Sequence, residues 1–261
     1  MPAETQPTEA PTLPAGPEVR YEWLRPAQIV ARREVCPLAY VPLGTLEWHG
    51  LQNPVGLDGL KVHALCVLAA RRGGGLVFPT LFYGEHREAH LMESDHNDGG
   101  ISRLMHLPHE NFAPGYMQSG TIMDQADFYC RLIWHIAAQL RSLGFRAVIF
   151  LNGHYPLTHY LRYLHHLIER KLALRCWCGH EGELLAEYDM PGHGDHAGPW
   201  ETSLMMALAP DKVDLSELDP SPQARAVGCS FDPRTASPQF GHEWVEKIVH
   251  CLVEKGRRLL A

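Results

Sequence analysis

Two acids and a histidine stand close together in the segment GTLEWHGLQNPVGLDG, residues 44–59. Glu47 and His49 are two positions apart, and Asp58 follows nine positions after the histidine, across a loop that contains glycine and proline. Carboxylates and imidazoles are ligands that suit Zn²⁺ or Mn²⁺, and a carboxylate can bridge two ions. The spacing is compatible with two neighbouring metals that share Asp58, although an ordinary ion pair or helix cap would explain the same residues.

Two further segments offer polar side chains of the same kind. The apolar run FLNGH ends in Asn152 and His154, which are costly to bury without a partner. The segment GHGDHAGPWETS, residues 192–203, places His193, Asp195, His196 and Glu201 in a glycine-rich stretch that leads into a helix. An ordinary helix cap would account for that last segment equally well.

Apolar runs and helical periodicities alternate along the chain and indicate how these segments are positioned. Buried strands are predicted over residues 36–44, 75–84 and 146–154. Amphipathic helices are predicted over residues 59–73, 125–145, 202–210 and 242–260. This alternation predicts a parallel, helix-covered sheet, in which ligands bind beyond the carboxyl ends of the strands. The polar residues that follow the first and third strands are therefore expected at one edge of the sheet.

The composition favours a soluble globular protein and limits its partners. The 261 residues, 45% of them apolar, can bury a full core, and a net charge of −7 without clustered Lys and Arg argues against nucleic acid as a partner. No apolar run has the length of a membrane span. The seven cysteines show no disulfide framework, which predicts reduced thiols in a cytoplasmic protein. Residues 1–18 are rich in Pro, Thr and Glu and are predicted to be flexible.

Residues 85–118 show no steady period and contain several histidines and acids. A segment of this length without a predicted element is usually functional or disordered. His96 and His109 lie in it and are candidates for substrate recognition, although solvated loop side chains would explain them as well. Tyr155 and Trp200 flank the candidate ligands and are candidates for the wall of a pocket, while an aromatic residue near a helix start is often part of the core.

Four segments together resemble motifs of the creatininase family of metal-dependent amidohydrolases. PLGTLEWHG, with LD nine residues beyond the histidine, is similar to the family's metal-binding opening, and SGTIM is similar to its Gly-Thr turn. LGFRAVIFLNGH and HAGPWETS are similar to its strand ending in Asn-Gly-His and to its later His-Ala-Gly and Glu-Thr-Ser signature. The resemblance covers residues 38–210. It implies a three-layer α/β/α sandwich with a mostly parallel central sheet, forming a single domain over residues 19–261, and assembly as a homohexamer.

The resemblance also implies two divalent metal ions per chain, zinc or manganese. The two ions would share Asp58 as a bridging ligand. His196 falls at the position of the family's catalytic histidine. The remaining ligands would be Glu47 and His154 for one ion, and His49 and Glu201 for the other.

The chain departs from the family at Pro156. In creatininases the Asn-Gly-His is followed by Tyr-Glu-Asn, and that glutamate can contribute to a metal. Here the run is NGHYPLTHY, and proline has no ligand atom. The departure argues against creatinine itself as the substrate, and it leaves the two-metal core intact.

Three hypotheses for the function follow from these residues. The first is a hydrolase in which a hydroxide shared by two metals attacks the carbonyl of a small cyclic or linear amide, with His196 as the proton relay. The second uses the same chemistry to break a C–C bond and open a cyclic keto-polyol of the 3-dehydro-inosose type. The third is a metal-stabilised scaffold without catalysis, which requires closed coordination of the ions. A phosphate-binding module is not supported, because no glycine-rich nucleotide motif follows a strand.

Overall fold

A four-stranded parallel sheet lies at the centre of the part of the chain that this computed structural model describes, namely residues 16–84, 100–112, 122–190, 194–221 and 226–261. The strand order is β2-β1-β3-β4. The strands are β1 (Leu38–Leu43), β2 (Leu76–Val77), β3 (Ala147–Asn152) and β4 (Arg175–His180).

The helices surround this sheet. They are α1 (Pro26–Val35), α2 (Leu57–Gly73), α3 (Gly100–Leu104), α4 (Ile122–Ser142), α5 (Leu157–Leu172), α6 (Glu181–Ala186), α7 (Pro199–Leu208) and α8 (Pro238–Leu260). Short 3₁₀ turns lie at Tyr21–Trp23, His109–Phe112, Pro210–Lys212, Leu215–Glu217 and Pro233–Thr235. None of the helices in the described part of the chain combines the length and the hydropathy that a membrane-spanning segment requires.

The two central strands are buried along their whole length, β1 as LAYVPL and β3 as AVIFLN. Successive side chains of a strand point to opposite faces, so each strand contributes to two cores. Leu38 and Tyr40 pack in the core beneath α2, α7 and α8, whereas Ala39 and Val41 pack in the core beneath α4 and α5. Helices therefore cover both faces, and the predicted α/β sandwich with a parallel sheet is confirmed.

Helix α4 shows why the second core forms. Its buried residues Tyr129, Ile133, Ala137 and Leu140 recur every three or four positions and therefore share one face. Burial of a side chain the size of leucine or isoleucine contributes roughly 1.5–3 kcal/mol. The packing of such faces on the sheet holds the strand ends in fixed positions.

Several elements differ from the prediction. The strand predicted over residues 75–84 is restricted to Leu76–Val77, and Pro79, which has no N–H to donate to a ladder, follows closely. Helix α5 and strand β4 were not predicted. The segment predicted as a loop, 85–118, contains α3 and a 3₁₀ turn in its described part. Of the N-terminal segment predicted to be flexible, residues 1–15 lie outside the described residues.

The carboxyl ends of three strands lie side by side. Asn152, the last residue of β3, pairs with Leu43 at the end of β1 and with His180 at the end of β4. Each of these strands is followed by a polar segment, which therefore leaves the sheet at the same edge. Crevices at this edge are the usual ligand sites of parallel α/β sheets.

Candidate metal centre

Four segments bring the predicted ligands together at this edge of the sheet. Glu47 and His49 lie in the loop after β1, and His154 lies two residues after β3. Asp58 is the second residue of α2, and Glu201 is the third residue of α7. All five side chains are buried. Residues that are as many as 154 positions apart in the chain (Glu47 and Glu201) thus meet in one cluster.

The first ligand set consists of Glu47, Asp58 and His154. The Nδ1 atom of His154 lies 2.5 Å from Oε2 of Glu47 and 3.3 Å from Oδ2 of Asp58. The second set consists of His49, Asp58 and Glu201. The Nε2 atom of His49 lies 3.2 Å from Oδ1 of Asp58 and 3.6 Å from Oε2 of Glu201.

Asp58 belongs to both sets and contributes a different oxygen to each. Its Oδ2 faces His154, and its Oδ1 faces His49. Ligand atoms placed about 2.1 Å from a tetrahedral ion are about 3.4 Å from one another, and three of the four separations given above, 3.2, 3.3 and 3.6 Å, are close to this value. The arrangement therefore fits two neighbouring cations bridged by one carboxylate.

Neighbouring groups orient these ligands. The Thr45 hydroxyl lies 3.2 Å from Oε2 of Glu47 and 3.1 Å from Oδ2 of Asp58. Nδ1 of His49 lies 3.2 Å from the backbone carbonyl oxygen of Glu47. Because a carbonyl oxygen only accepts, Nδ1 carries the hydrogen, and the free lone pair of neutral His49 is on Nε2. Hydrogen bonds of this kind fix the orientation of metal ligands in proteins.

The charges of the cluster also fit cations. Burial alone would raise the pKa values of the Glu47 and Asp58 carboxyls, but the imidazoles of His154 and His49 lower both. Burial alone would lower the pKa of His49, but Asp58 and Glu201 raise it to about 9. Oε1 of Glu47 accepts no hydrogen bond among the described residues, and it lies 3.3 Å from Nδ1 of His196. Buried carboxylates that hold a proton on the imidazole of His49 are suited to a metal that displaces that proton.

Gly153 sets the distance between α2 and the end of β3. A Cβ atom at this position would lie only 2.1 Å from the backbone oxygen of Asp58. We therefore expect Gly153→Ala to push Asp58 away from His154, to lower the free energy of unfolding by about 1–3 kcal/mol and to weaken metal binding. Urea unfolding and metal titration measure the two effects.

Gly56→Ala is the matched control for that substitution. Gly56 lies two residues before Asp58, and the nearest atom to its added Cβ would be a carbon of Phe82 at 3.5 Å, an ordinary contact. We expect this variant to stay within about 0.5 kcal/mol of the wild-type protein. Equal stability and equal metal affinity of the two variants would contradict a close approach at Gly153.

His196 lies beside the first ligand set, in the loop before α7. Its Nδ1 is 3.3 Å from Oε1 of Glu47, and its Nε2 is 2.9 Å from the carbonyl oxygen of Trp48. The backbone N–H of His196 donates to the Ser230 hydroxyl, and the backbone oxygen of His196 accepts from the N–H of Ser230. The imidazole is therefore held in place, and it is more exposed than the five ligands.

A cavity of about 610 Å³ opens onto the cluster. Asp58, His154, Glu201 and His196 contribute to its lining, so a small molecule can reach them. Tyr155, a predicted wall residue, also lines it and stacks on His180 with 4.3 Å between the ring centroids. Further lining residues include Pro156, His159, Asp195 and Ser230.

The other predicted substrate-binding residues lie elsewhere. Trp200 is buried in the core, with ring centroids 5.3 Å from Trp244 and 6.0 Å from Phe240, because this face of α7 packs on α8. It is not among the residues that line the cavity. His109 is exposed in a 3₁₀ turn and does not line the cavity either. His96 lies outside the described residues.

Two charged residues of the site were not anticipated from the sequence. Lys61 is fully buried, and its Nζ lies 2.7 Å from Oε1 of Glu181 and 2.7 Å from Oε1 of Glu201. Burial opposes the charge on Lys61, but the two carboxylates hold its pKa well above the ordinary value. The sequence pattern that could have identified Lys61 is its position three residues after Asp58, because this spacing places both residues on one face of α2. Glu181 follows β4, which was not predicted.

Comparisons with known proteins agree with this geometry. A family model described as creatininase, creatinine amidohydrolase, matches residues 23–255. The creatinine amidohydrolase of Pseudomonas putida is 30% identical over 200 residues, which cover 70% of this chain and 69% of that protein.

Solved creatininase structures have a similar fold. A crystal structure of creatinine amidohydrolase is 24% identical with a TM-score of 0.69, and a creatininase variant of the Zn–Zn type is 25% identical with a TM-score of 0.68. A creatininase described with Mn is 23% identical with a TM-score of 0.68. Each comparison covers 93% of this chain and 98% of the other.

The matched region, residues 23–255, contains every residue that converges at the site, from Glu47 to Glu201. The motifs, the fold and the matched relatives therefore lead to the same assignment. The chain belongs to the creatininase family and is a metal-dependent hydrolase of the class that acts on C–N amide bonds.

Proposed function

We propose that this chain hydrolyses a C–N bond of a small cyclic or linear amide with two divalent metal ions per chain. The observation that carries the proposal is Asp58, whose two oxygens face two different ligand sets. Mixed imidazole and carboxylate ligands suit zinc and manganese, and a related creatininase variant is of the Zn–Zn type. We therefore propose zinc as the metal, with manganese as the alternative.

The metals and the chain have separate tasks in this mechanism. The chemistry that such cations would supply is that of a Lewis acid, which would lower the pKa of bound water and polarise a substrate carbonyl. The chain would hold them with side chains that are themselves buried but border the cavity. The proposed ligands are Glu47, His49, Asp58, His154 and Glu201.

We assign the proton transfer to Nδ1 of His196. The Trp48 carbonyl oxygen, 2.9 Å from Nε2, only accepts, so the hydrogen of neutral His196 is on Nε2 and the lone pair is on Nδ1. Nδ1 points toward Glu47 and the ligand cluster. In this position it would take up the proton that the attacking water oxygen releases as it bonds to the carbonyl carbon, and pass that proton to the amide nitrogen as the C–N bond breaks.

The cavity supports catalysis over a purely structural role for the metals. A structural zinc site is closed by protein ligands, whereas a catalytic site keeps a position open for water or substrate. Here Asp58, His154 and Glu201 all line a cavity of about 610 Å³. This volume is within the range of small-molecule sites.

Activity assays of the metal-loaded protein identify its substrate. Pro156 lines the cavity where creatininases proper have a glutamate, so we expect little activity with creatinine and hydrolysis of another small amide. A panel of cyclic amides, formamides and cyclic keto-polyols separates the possible reactions. Turnover of a keto-polyol without turnover of any amide would contradict the proposed C–N cleavage and identify a ring-opening C–C hydrolase.

We further propose that the protein forms a homo-oligomer, a hexamer by analogy with its family, in a reducing compartment such as the cytoplasm. Large apolar side chains are exposed on the loop before α2 and on its first turn, as expected for a surface that another protein covers. These residues are Leu46, Leu51, Val55 and Leu60. None of the seven cysteines forms a disulfide, which fits the compartment. Light scattering tests the assembly, and a monomer would contradict it.

A further inference from the structure

Lys61 is the starting point for an inference about the second ligand set. Its ammonium group is fully buried and lies between two carboxylates, with 2.7 Å to Glu181 and 2.7 Å to Glu201. Removal of a charge from water costs several kcal/mol, so a buried ammonium requires close partners. One carboxylate would be enough to balance the charge of Lys61. Here there are two, and one of them, that of Glu201, is a candidate metal ligand.

The two carboxylate oxygens of Glu201 have different partners, and Lys61 contacts only one of them. Oε1 accepts from Nζ of Lys61 at 2.7 Å. Oε2 accepts from the backbone N–H of Ala197 at 2.9 Å and lies 3.6 Å from Nε2 of His49. Rotation of the carboxylate would break both hydrogen bonds. These hydrogen bonds thus hold Glu201 with Oε2, and not Oε1, toward His49 and Asp58.

Glu181 joins this arrangement to the wall of the cavity. Its Oε1 accepts from Lys61 and also from the Tyr155 hydroxyl, at 2.7 Å and 3.0 Å. Nζ of Lys61 lies 5.2 Å from the centroid of the Tyr155 ring, within the range of a cation–π contact. Tyr155 lines the cavity. The same ammonium group therefore contacts a candidate metal ligand and the residue beside the substrate space.

We propose that Lys61 is a positioning residue of the metal centre: it holds Glu201 as a ligand through Oε2 alone, and Glu181 supplies the charge that keeps Lys61 in place. The inference rests on the two-metal function proposed above. It predicts that the effect of Lys61 is confined to the ion bound by His49, Asp58 and Glu201. Among the described residues, the ammonium group of Lys61 hydrogen-bonds to Glu181 and Glu201, and neither of these belongs to the set of Glu47, Asp58 and His154.

The test replaces Lys61 with methionine, which has a similar length and no charge. Stepwise metal affinities are measured by competition with a chromophoric chelator, and the visible spectrum of bound Co²⁺ reports the ligand geometry. We expect Lys61→Met to weaken the binding of one ion by about 10- to 100-fold, the usual effect of losing an outer hydrogen bond to a ligand, and to change the Co²⁺ spectrum. The other ion should keep its wild-type affinity.

Lys247→Met is the matched control. Lys247 also pairs with a glutamate, Glu243, but on the surface of α8. The same substitution there should leave both metal affinities and the Co²⁺ spectrum unchanged. Equal losses at both metal sites of Lys61→Met, or no loss at either, would overturn the proposed role.

A double variant separates positioning from simple charge balance. Lys61→Met leaves the buried charge of Glu181 without its cation, although the hydrogen bond from Tyr155 remains, and this destabilises the fold. In Lys61→Met/Glu181→Gln both charges are removed, and the glutamine can still accept from Tyr155. We expect the double variant to regain stability in the presence of a chelator while the loss of affinity for one ion persists.

Recovery of wild-type metal affinity in the double variant would overturn the inference, because Lys61 would then only balance a buried charge. That failure is distinct from failure of the proposed function. If the wild-type protein itself bound no metal, the two-metal proposal would be refuted before any Lys61 variant was compared.

Discussion

Asp58→Ala should abolish the binding of both metal ions, because Asp58 is the only residue common to the two ligand sets. Its Oδ1 and Oδ2 face His49 and His154, so one substitution removes a ligand from each ion. Activity should fall to that of the reaction without enzyme. Metal analysis of the purified variant and an assay with added Zn²⁺ or Mn²⁺ measure both effects.

Two controls distinguish this loss from a general defect in folding. Asp127→Ala removes an exposed aspartate of α4 and should keep both metals and full activity. Asp58→Asn keeps the volume of the side chain but supplies no bridging negative charge, so we expect it to resemble Asp58→Ala. If either Asp58 variant retained a full complement of metal and a wild-type circular dichroism spectrum, the bridging role would be wrong.

His196→Ala should have the opposite pattern, with metal content preserved and kcat reduced by about 10²- to 10⁴-fold. The reason is that we assign His196 to proton transfer and not to either proposed ligand set, although its Nδ1 lies 3.3 Å from Oε1 of Glu47 and Glu47, His49 and His196 form a third group close enough to hold an ion. Steady-state kinetics and metal analysis of the same preparation measure the two quantities.

His196→Gln distinguishes proton transfer from positioning. Glutamine can still hydrogen-bond to the Trp48 carbonyl, but it does not take up a proton at neutral pH. We therefore expect it to be about as inactive as the alanine variant, while His250→Ala, at an exposed position of α8, should be fully active. A His196→Gln enzyme with wild-type kcat would exclude His196 as the proton relay.

The segments that carry the proposed ligands could be predicted to converge because each lies close to an element with a strong local pattern, whereas the choice of the five ligands came from the resemblance to the creatininase family. The apolar runs that form β1 and β3 indicate two buried parallel strands, and such strands end at one edge of a sheet. Glu47, His49 and His154 follow these runs within six residues. Asp58 and Glu201 lie in the first turns of α2 and α7, where loop and helix meet.

The residues that could not be predicted depend on long-range packing. Strand β4 is only partly buried at the edge of the sheet, so RCWCGH lacks a continuous apolar pattern. Glu181, which follows it, was therefore missed together with its contact to Lys61. Trp200 was expected at the pocket, but the packing of α7 on α8 directs it into the core. No local sequence pattern predicts how two helices that are separated by about 30 residues of chain pack against each other.

Metal analysis of the wild-type protein tests the central claim most directly. Protein purified without chelator and exchanged into metal-free buffer should contain close to two divalent ions per chain, because two buried ligand sets share Asp58. Dialysis against a chelator should remove them together with the activity, and Zn²⁺ or Mn²⁺ should restore both. A content near zero, or full activity in the metal-free protein, would contradict the two-metal site.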